Sequence, residues 1–130
     1  MMENKNIKQI IEDTVNRTVL KLKAADLLKD NRKSAYQKTE ELLRNYPNFK
    51  LSDQPYTKKL CNKIETALRT IKDDYYYEVI ALYYFEKYTR EEVAEHFNTS
   101  ETTISRNKKR LIDRLSTVLF SDDKIYEIFL

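Results

Sequence analysis

The chain has 130 residues, 41% of them hydrophobic and 35% charged, and its formal net charge of +3 alone excludes no class of partner. It contains two prolines and no glycine, which argues against a β-rich fold because the tight turns of such a fold favour glycine. Cys61 is the only cysteine, so an internal disulfide is excluded, and no apolar run approaches the roughly 20 residues of a membrane span. We therefore expect an all-α protein of the reducing cytoplasm, with no membrane partner.

The first predicted element covers residues 7–28, where apolar side chains follow the spacing of an amphipathic helix. Alternating steps of four and three connect Ile11, Val15, Thr18, Leu22 and Ala25, which keeps these residues on one stripe. The stripe fits a helix that packs on its own chain, and it also fits a coiled-coil-like seam between copies of the protein. Both interpretations stay open, and a homo-oligomer formed through this stripe is a prediction.

The second predicted helix covers residues 34–46, and Ser34 is its cap. Pro47 is expected to end it, because the residue before a proline is pushed out of the α region. Residues 48–55 follow Pro47 directly, end at Pro55 and include Ser52 and Asp53, so they are the best linker candidate.

Two more helices are predicted before the basic C-terminal segment. One covers residues 57–73, and its inward stripe consists of Leu60, Ile64, Ala67, Leu68 and Ile71. The other begins at Asp74 and runs to Phe85. Its many tyrosines lie at helical spacing beside aliphatic residues, which favours a tyrosine-rich core over a base-stacking surface.

Residues 88–116 carry the pattern of a helix-turn-helix. Thr89 and Glu92 form the spacing of a capping box that opens a short helix, in which Ala94 provides the small residue needed at the crossing. Asn98 suits the turn, because its side chain bonds locally and it tolerates a positive φ. Ser100 is placed to cap the second helix of the motif.

The second helix of the motif has one apolar face and one polar face when it is rotated by about 100° per residue. With Ile104 as the buried reference, Leu111, Leu115 and Val118 fall close to it. The opposite face collects hydroxyl and charged groups, namely those of Thr102, Arg106, Lys109, Arg110 and Asp113, with Thr103 and Ser105 at its edges. Such a basic face is typical of a nucleic-acid contact, although a plainly solvated helix also carries basic residues.

Two stretches resemble known families. Residues 92–100, Glu-Val-Ala-Glu-His-Phe-Asn-Thr-Ser, with Thr-Ile-Ser-Arg at 103–106 and Lys109, resemble the region-4 helix-turn-helix of sigma-70-type factors. Residues 38–47, Lys-Thr-Glu-Glu-Leu-Leu-Arg-Asn-Tyr-Pro, resemble a segment of ArpU/RinA-type regulators, which are phage-borne activators of late transcription in low-GC Gram-positive bacteria. The resemblance implies an all-helical DNA-binding regulator of phage or prophage genes, with its determinants within residues 101–110.

The sequence departs from the sigma pattern at two positions. Asn98 stands where glycine is usual, and Asn107 stands where an aliphatic residue is common, so looser packing is expected around Asn107. No convincing set of the other sigma regions is found, so a complete sigma factor is not expected. The predicted domains are an N-terminal helical region (1–50), a helix-turn-helix DNA-binding domain (56–120) and a C-terminal tail (121–130).

Roles on double-stranded promoter DNA follow from position along the helix. Recognition helices contact base edges mainly through their N-terminal residues. The base-reading candidates are Glu101, Thr102, Thr103 and Arg106. The phosphate-binding candidates are Arg90, Ser100, Lys109 and Arg110.

An enzyme is not expected, and neither a cofactor nor a metal site is predicted. His96 is the only histidine, Cys61 lies beside Leu60 with a structural role, and a glycine-rich phosphate loop is impossible without glycine. Two other classes stay open besides the DNA-binding regulator. One is an adaptor that docks an acidic partner such as RNA polymerase or a sigma factor, and the other is the DNA-recognition subunit of a phage packaging machine.

Overall fold

The computed structural model describes residues 32–120, and over this range the chain is helical, with no β-strand. The helices are α1 (Ala35–Leu51), α2 (Pro55–Arg69), α3 (Glu78–Ile80), α4 (Arg90–His96) and α5 (Glu101–Phe120), and a π-helical segment (Ala81–Phe85) directly continues α3. The all-α prediction is therefore confirmed. The predicted helix over 7–28, its self-association seam and the tail over 121–130 lie outside the described residues. None of the helices in residues 32–120 combines the length and apolar character needed to cross a membrane.

Helix α1 begins where the sequence predicts but ends later. The Ser34 hydroxyl accepts from the Gln37 N–H, and the Gln37 side chain accepts from the Ser34 N–H, which completes a capping box. The prediction that Pro47 ends the helix is wrong, because the helix continues to Leu51. An interior proline costs about 3 kcal/mol, and the burial of Phe49, which is only 2% exposed, offsets much of it at about 1.5–3 kcal/mol. The linker is accordingly shorter than predicted, residues 52–54.

Helix α2 starts at Pro55. Proline suits this first position because the N–H that it lacks would have no partner within the helix. Every member of the predicted inward stripe of α2 is buried, and Cys61 joins it, but Ile71 lies in the turn beyond the helix. The helix ends at Arg69 rather than at Asp73, and the chain then turns through residues 70–77.

The predicted helix from Asp74 to Phe85 differs in two ways. Asp74 caps a turn instead of a helix, because its carboxylate accepts from the Tyr76 N–H at 2.9 Å. From Ala81 the backbone widens into a π-helix, and the Glu86 N–H donates to the Ala81 carbonyl at 2.9 Å. The prediction of a tyrosine-rich core holds for Tyr84, which is 1% exposed, and is wrong for Tyr75, which is 75% exposed.

One main core joins five elements of the described chain. It is formed by side chains of α1, α2, α3, the π-helical segment and α5, including Leu42, Ile64, Ile80, Tyr84 and Leu111. A smaller cluster lies between α3, α4 and the start of α5, where Val79, Val93, Ala94 and Ile104 meet. Helix α1 thus packs in the same core as the C-terminal helices, while the predicted domain boundaries stay a prediction.

The buried face of α5 differs from the prediction at its C-terminal end. Ile104, Leu111 and Leu115 are buried as expected, but Val118 is 41% exposed and Leu119 is buried in its place. Helix α1 lies beside this end of α5, as shown by the Lys38 ammonium 6.0 Å from the centre of the Phe120 ring. The apolar neighbour therefore covers the Leu119 side of the helix and leaves the Val118 side open.

Candidate nucleic-acid interface

Helix α4 is fixed at its start by a complete capping box. The Thr89 hydroxyl accepts from the Glu92 N–H at 3.1 Å, and the Glu92 carboxylate accepts from the Thr89 N–H at 3.0 Å. Val93 and Ala94 turn inward to the small cluster, so α4 lies directly on the first half of α5. The predicted cap and the predicted crossing residue are both confirmed.

The turn between α4 and α5 has the geometry that the sequence predicts. Asn98 has a φ of 51°, in the left-handed region that favours glycine and, after it, asparagine. The Asn98 N–H donates to the Glu95 carbonyl and the Thr99 N–H donates to the Ala94 carbonyl. This is a Schellman ending, which satisfies the last carbonyls of α4 and reverses the chain toward α5.

Ser100 caps α5, as predicted. Its hydroxyl oxygen accepts from the Thr103 N–H at 3.1 Å and lies 2.9 Å from the Thr103 hydroxyl. Both hydroxyl groups therefore have partners within the protein, and Thr103 is half-buried. The contact of either residue with DNA stays a prediction.

Three predicted base-reading residues lie exposed at the start of α5. These are Glu101, Thr102 and Arg106. Within residues 32–120, their side chains have no hydrogen-bond or ion-pair partner. The first two turns of α5 thus present a carboxylate, a hydroxyl and a guanidinium to the outside, where a bound duplex can satisfy them.

The other cations of this face have partners inside the protein. Arg110 donates to both carboxylate oxygens of Asp74, at 2.7 and 2.9 Å, while its side chain stays 44% exposed. The guanidinium lowers the pKa of the Asp74 carboxyl, and the carboxylate raises the pKa of Arg110. Arg114 approaches the same carboxylate at 3.6 Å, and Lys109 lies 3.7 Å from Asp113.

The side chains of Asn107 and Arg90 both form hydrogen bonds with residues of α5. The Asn107 amide donates to the Thr103 carbonyl at 2.8 Å, and its oxygen accepts from Arg110 at 3.0 Å. The polar group at this border of the core is therefore satisfied by hydrogen bonds. The Arg90 guanidinium donates to the Ser105 hydroxyl at 3.2 Å, which places this cation at the flank of α5.

Lys108 is a residue whose role the sequence interpretation missed. Its ammonium lies 4.3 Å from the centre of the Tyr83 ring and 3.9 Å from the Glu40 carboxylate, and only 16% of its side chain is exposed. The Tyr84 hydroxyl donates to the same carboxylate at 2.6 Å. The rotation of about 100° per residue places Lys108 near the buried side of α5, and this signal distinguishes it from the outward cations.

Comparison with known families identifies the segment that carries this geometry. Residues 77–117 match the family described as sigma-70, region 4. The C-terminal part of this chain is a sigma-70 region 4-like helix-turn-helix. The match spans less than half of the chain, from the residue before α3 to the last turn of α5, and it includes every predicted site residue.

The sigma-70 region 4-like segment leaves α1 and α2 outside the match. No curated protein and no solved structure matches the chain. Sigma-70 region 4 is a DNA-binding helix-turn-helix, and the exposed polar start of α5 is consistent with that activity.

Proposed function

We propose that this protein is a sequence-specific, DNA-binding regulator of transcription. The observation that carries the proposal is the start of α5, where three polar side chains lie exposed without partners in the described chain, within the sigma-70 region 4-like segment. A recognition helix needs this combination of a buried apolar face and a free polar face, because the free face enters the major groove.

The base-reading residues of this proposal are Glu101, Thr102, Thr103 and Arg106. Arg106 donates to guanine O6 and N7, and Glu101 accepts from cytosine N4. The threonines contact a thymine methyl group or a phosphate. Lys109, Arg110, Arg90 and Ser100 contact phosphates and set the register of the protein on the duplex.

The finer part of the proposal is activation of late genes of a phage or prophage. It rests on the resemblance of residues 38–47 to a segment of ArpU/RinA-type regulators. These residues lie within α1, where Leu42 and Leu43 enter the main core and Glu40 contacts both Tyr84 and Lys108. The segment is therefore in contact with the helix-turn-helix, which supports a joint role for the two stretches.

Selection from a random pool of duplex DNA tests the proposal, with the full chain as the bait. We expect enrichment of one site, and gel shifts that favour this site over a scrambled duplex of the same length. A random pool that stays unenriched, with equal affinity for both duplexes, contradicts sequence-specific binding. Binding of RNA polymerase without any binding of DNA would instead favour the adaptor.

A further inference from the structure

A groove opens beside the start of α5, between α1, the π-helical segment and α4. Its lining includes Glu101 and Arg90, which belong to the proposed DNA interface, and two further cations, Arg44 of α1 and Lys87 of the loop before α4. The groove therefore continues the recognition surface away from α5. Arg44 lies outside the sigma-70 region 4-like segment, so the family match does not account for it.

Each of the two further cations is held at the groove by its own contacts. The Arg44 guanidinium lies 3.3 Å from the Glu40 carboxylate and 5.7 Å from the centre of the Tyr84 ring, while about half of its side chain stays exposed. The Lys87 ammonium lies 3.4 Å from the Arg44 carbonyl oxygen. Because both residues line the same groove, they bring positive charge to it, which favours an anion there.

Lys87 has an unusual backbone conformation for a lysine. Its φ is 60°, in the left-handed region where glycine avoids the steric cost that a Cβ imposes. It terminates the π-helical segment, since the Glu86 N–H donates to the Ala81 carbonyl and the Tyr88 N–H donates to the Leu82 carbonyl, both at 2.9 Å. The end of this helix needs the left-handed conformation but not a long cationic side chain, so the side chain calls for a separate explanation.

We propose that Arg44 and Lys87 bind backbone phosphates of the same duplex that α5 reads. This inference rests on the proposed function and makes α1 a part of the DNA interface. Two carboxylates, Glu91 and Glu101, also line the groove. The phosphates therefore approach at Arg44 and Lys87, and Glu101 stays with the bases.

The test compares single variants of the full chain in a salt series on the selected site and on a scrambled duplex. Lys87→Gly removes the cation and suits the left-handed backbone, so we expect an unchanged or higher melting temperature. We expect weaker binding to both duplexes by the same factor, and a salt slope smaller by about 0.9, the value for one lost phosphate contact. Arg44→Gln is expected to reduce the slope by the same amount.

Lys59→Gln is the matched control. Lys59 lies exposed on α2, is not among the residues lining the groove, and has no ion-pair partner within residues 32–120. Its substitution removes the same charge, so it reports the effect of net charge alone. We expect it to leave the salt slope unchanged.

Several outcomes separate the two proposals. If the parent protein enriches no site and does not bind duplex DNA, the proposed function itself fails. If it enriches a site while Lys87→Gly and Arg44→Gln keep its salt slope, only the groove proposal is overturned. The groove proposal is also overturned if these variants keep DNA affinity and lose affinity for an acidic peptide, because the groove is then a protein-binding site.

Discussion

At the scale of single residues, the outer face of α5 contains cations of two kinds. Arg106 is exposed and has no partner within residues 32–120, whereas Arg110 is fixed by two hydrogen bonds to Asp74. A free guanidinium can adjust to a base edge, while a paired one is held in place for a phosphate at the flank. The exposed Lys109 pair with Asp113 is weak, because both groups are more than half exposed.

The first prediction concerns the separate roles proposed for Arg106 and Lys109 on DNA. Arg106→Ala should weaken binding to the preferred site by about 1–3 kcal/mol and relax the preference at one or two base pairs. Lys109→Ala should weaken binding to preferred and random DNA alike and reduce the salt slope by about one unit. The measurement is the affinity for both DNAs over a salt series.

Melting temperatures provide the control for both substitutions, since neither residue belongs to the buried face of α5. A uniform loss of affinity with Arg106→Ala, together with a changed base preference in Lys109→Ala, means that α5 lies differently in the groove. If neither variant changes binding, α5 is not the DNA-reading element.

The second prediction concerns Asp74, which has 14% of its side chain exposed and receives Arg110 and Arg114. Asp74→Asn should lower the free energy of unfolding by roughly 1–3 kcal/mol at neutral pH, because a charge-assisted pair is lost. Since the pKa of this carboxyl is lowered in the folded state, its contribution is present above about pH 4 and fades as the pH falls further. Urea denaturation at several pH values measures both effects.

Asp113→Asn serves as the control for Asp74, because within residues 32–120 this carboxylate forms an ion pair only with Lys109, on the exposed surface of α5. It should change the stability little at any of these pH values. Equal losses in the two variants would show that the Asp74 pair contributes no more than an ordinary surface contact.

At the scale of helices and turns, local chemistry made the starts of elements predictable. Ser34, Thr89 and Ser100 each cap the helix that the sequence assigns to them, since a cap depends on residues within one turn. The continuation through Pro47 was not predictable in this way, because it depends on the burial of Phe49 by distant parts of the chain. The π-helical segment likewise has no local sequence signal.

The third prediction tests the turn of the motif. Asn98→Ala should lower the free energy of unfolding by about 1 kcal/mol. Alanine lacks the polar side chain with which asparagine tolerates the left-handed conformation, while its Cβ keeps the steric cost. Asn98→Gly should keep or raise it, since glycine adopts this φ without strain. Urea denaturation of both variants decides, and a higher stability of the alanine variant would contradict the role assigned to this backbone position.

At the scale of the whole molecule, the described chain has one main core that crosses the predicted boundary between an N-terminal region and a DNA-binding domain. Phe49, Leu42 and Leu43 of α1 share it with α2 and α5. The exposed site residues followed from periodicity, because an outward face needs no partner to be recognised. Which helix covers the opposite face was not predictable, because periodicity shows that a face is buried without showing what buries it.

The fourth prediction follows from this shared core. Phe49→Ala should lower the free energy of unfolding by about 3–5 kcal/mol, although the residue is far from α5 in sequence. Loss of helical circular dichroism should still follow one transition, since α1 and α5 unfold together. Leu51→Ala is the control, because this side chain is 88% exposed and should contribute little. Two separated transitions in the parent protein would indicate that α1 is an independent unit.

The hydrogen bond between Tyr84 and Glu40 affects the stability of the protein in alkaline solution. The pKa of Tyr84 is raised above its ordinary value, mainly because the side chain is buried and secondly because its hydroxyl donates to the Glu40 carboxylate. The unfolded chain therefore releases this proton at about pH 10, while the folded chain retains it. The contribution of Tyr84 to the free energy of unfolding is fully present below that pH and declines above it. Because the chain has ten tyrosines and no tryptophan, phenolate absorbance gives an intrinsic record in which the Tyr84 signal arrives only with the loss of the fold.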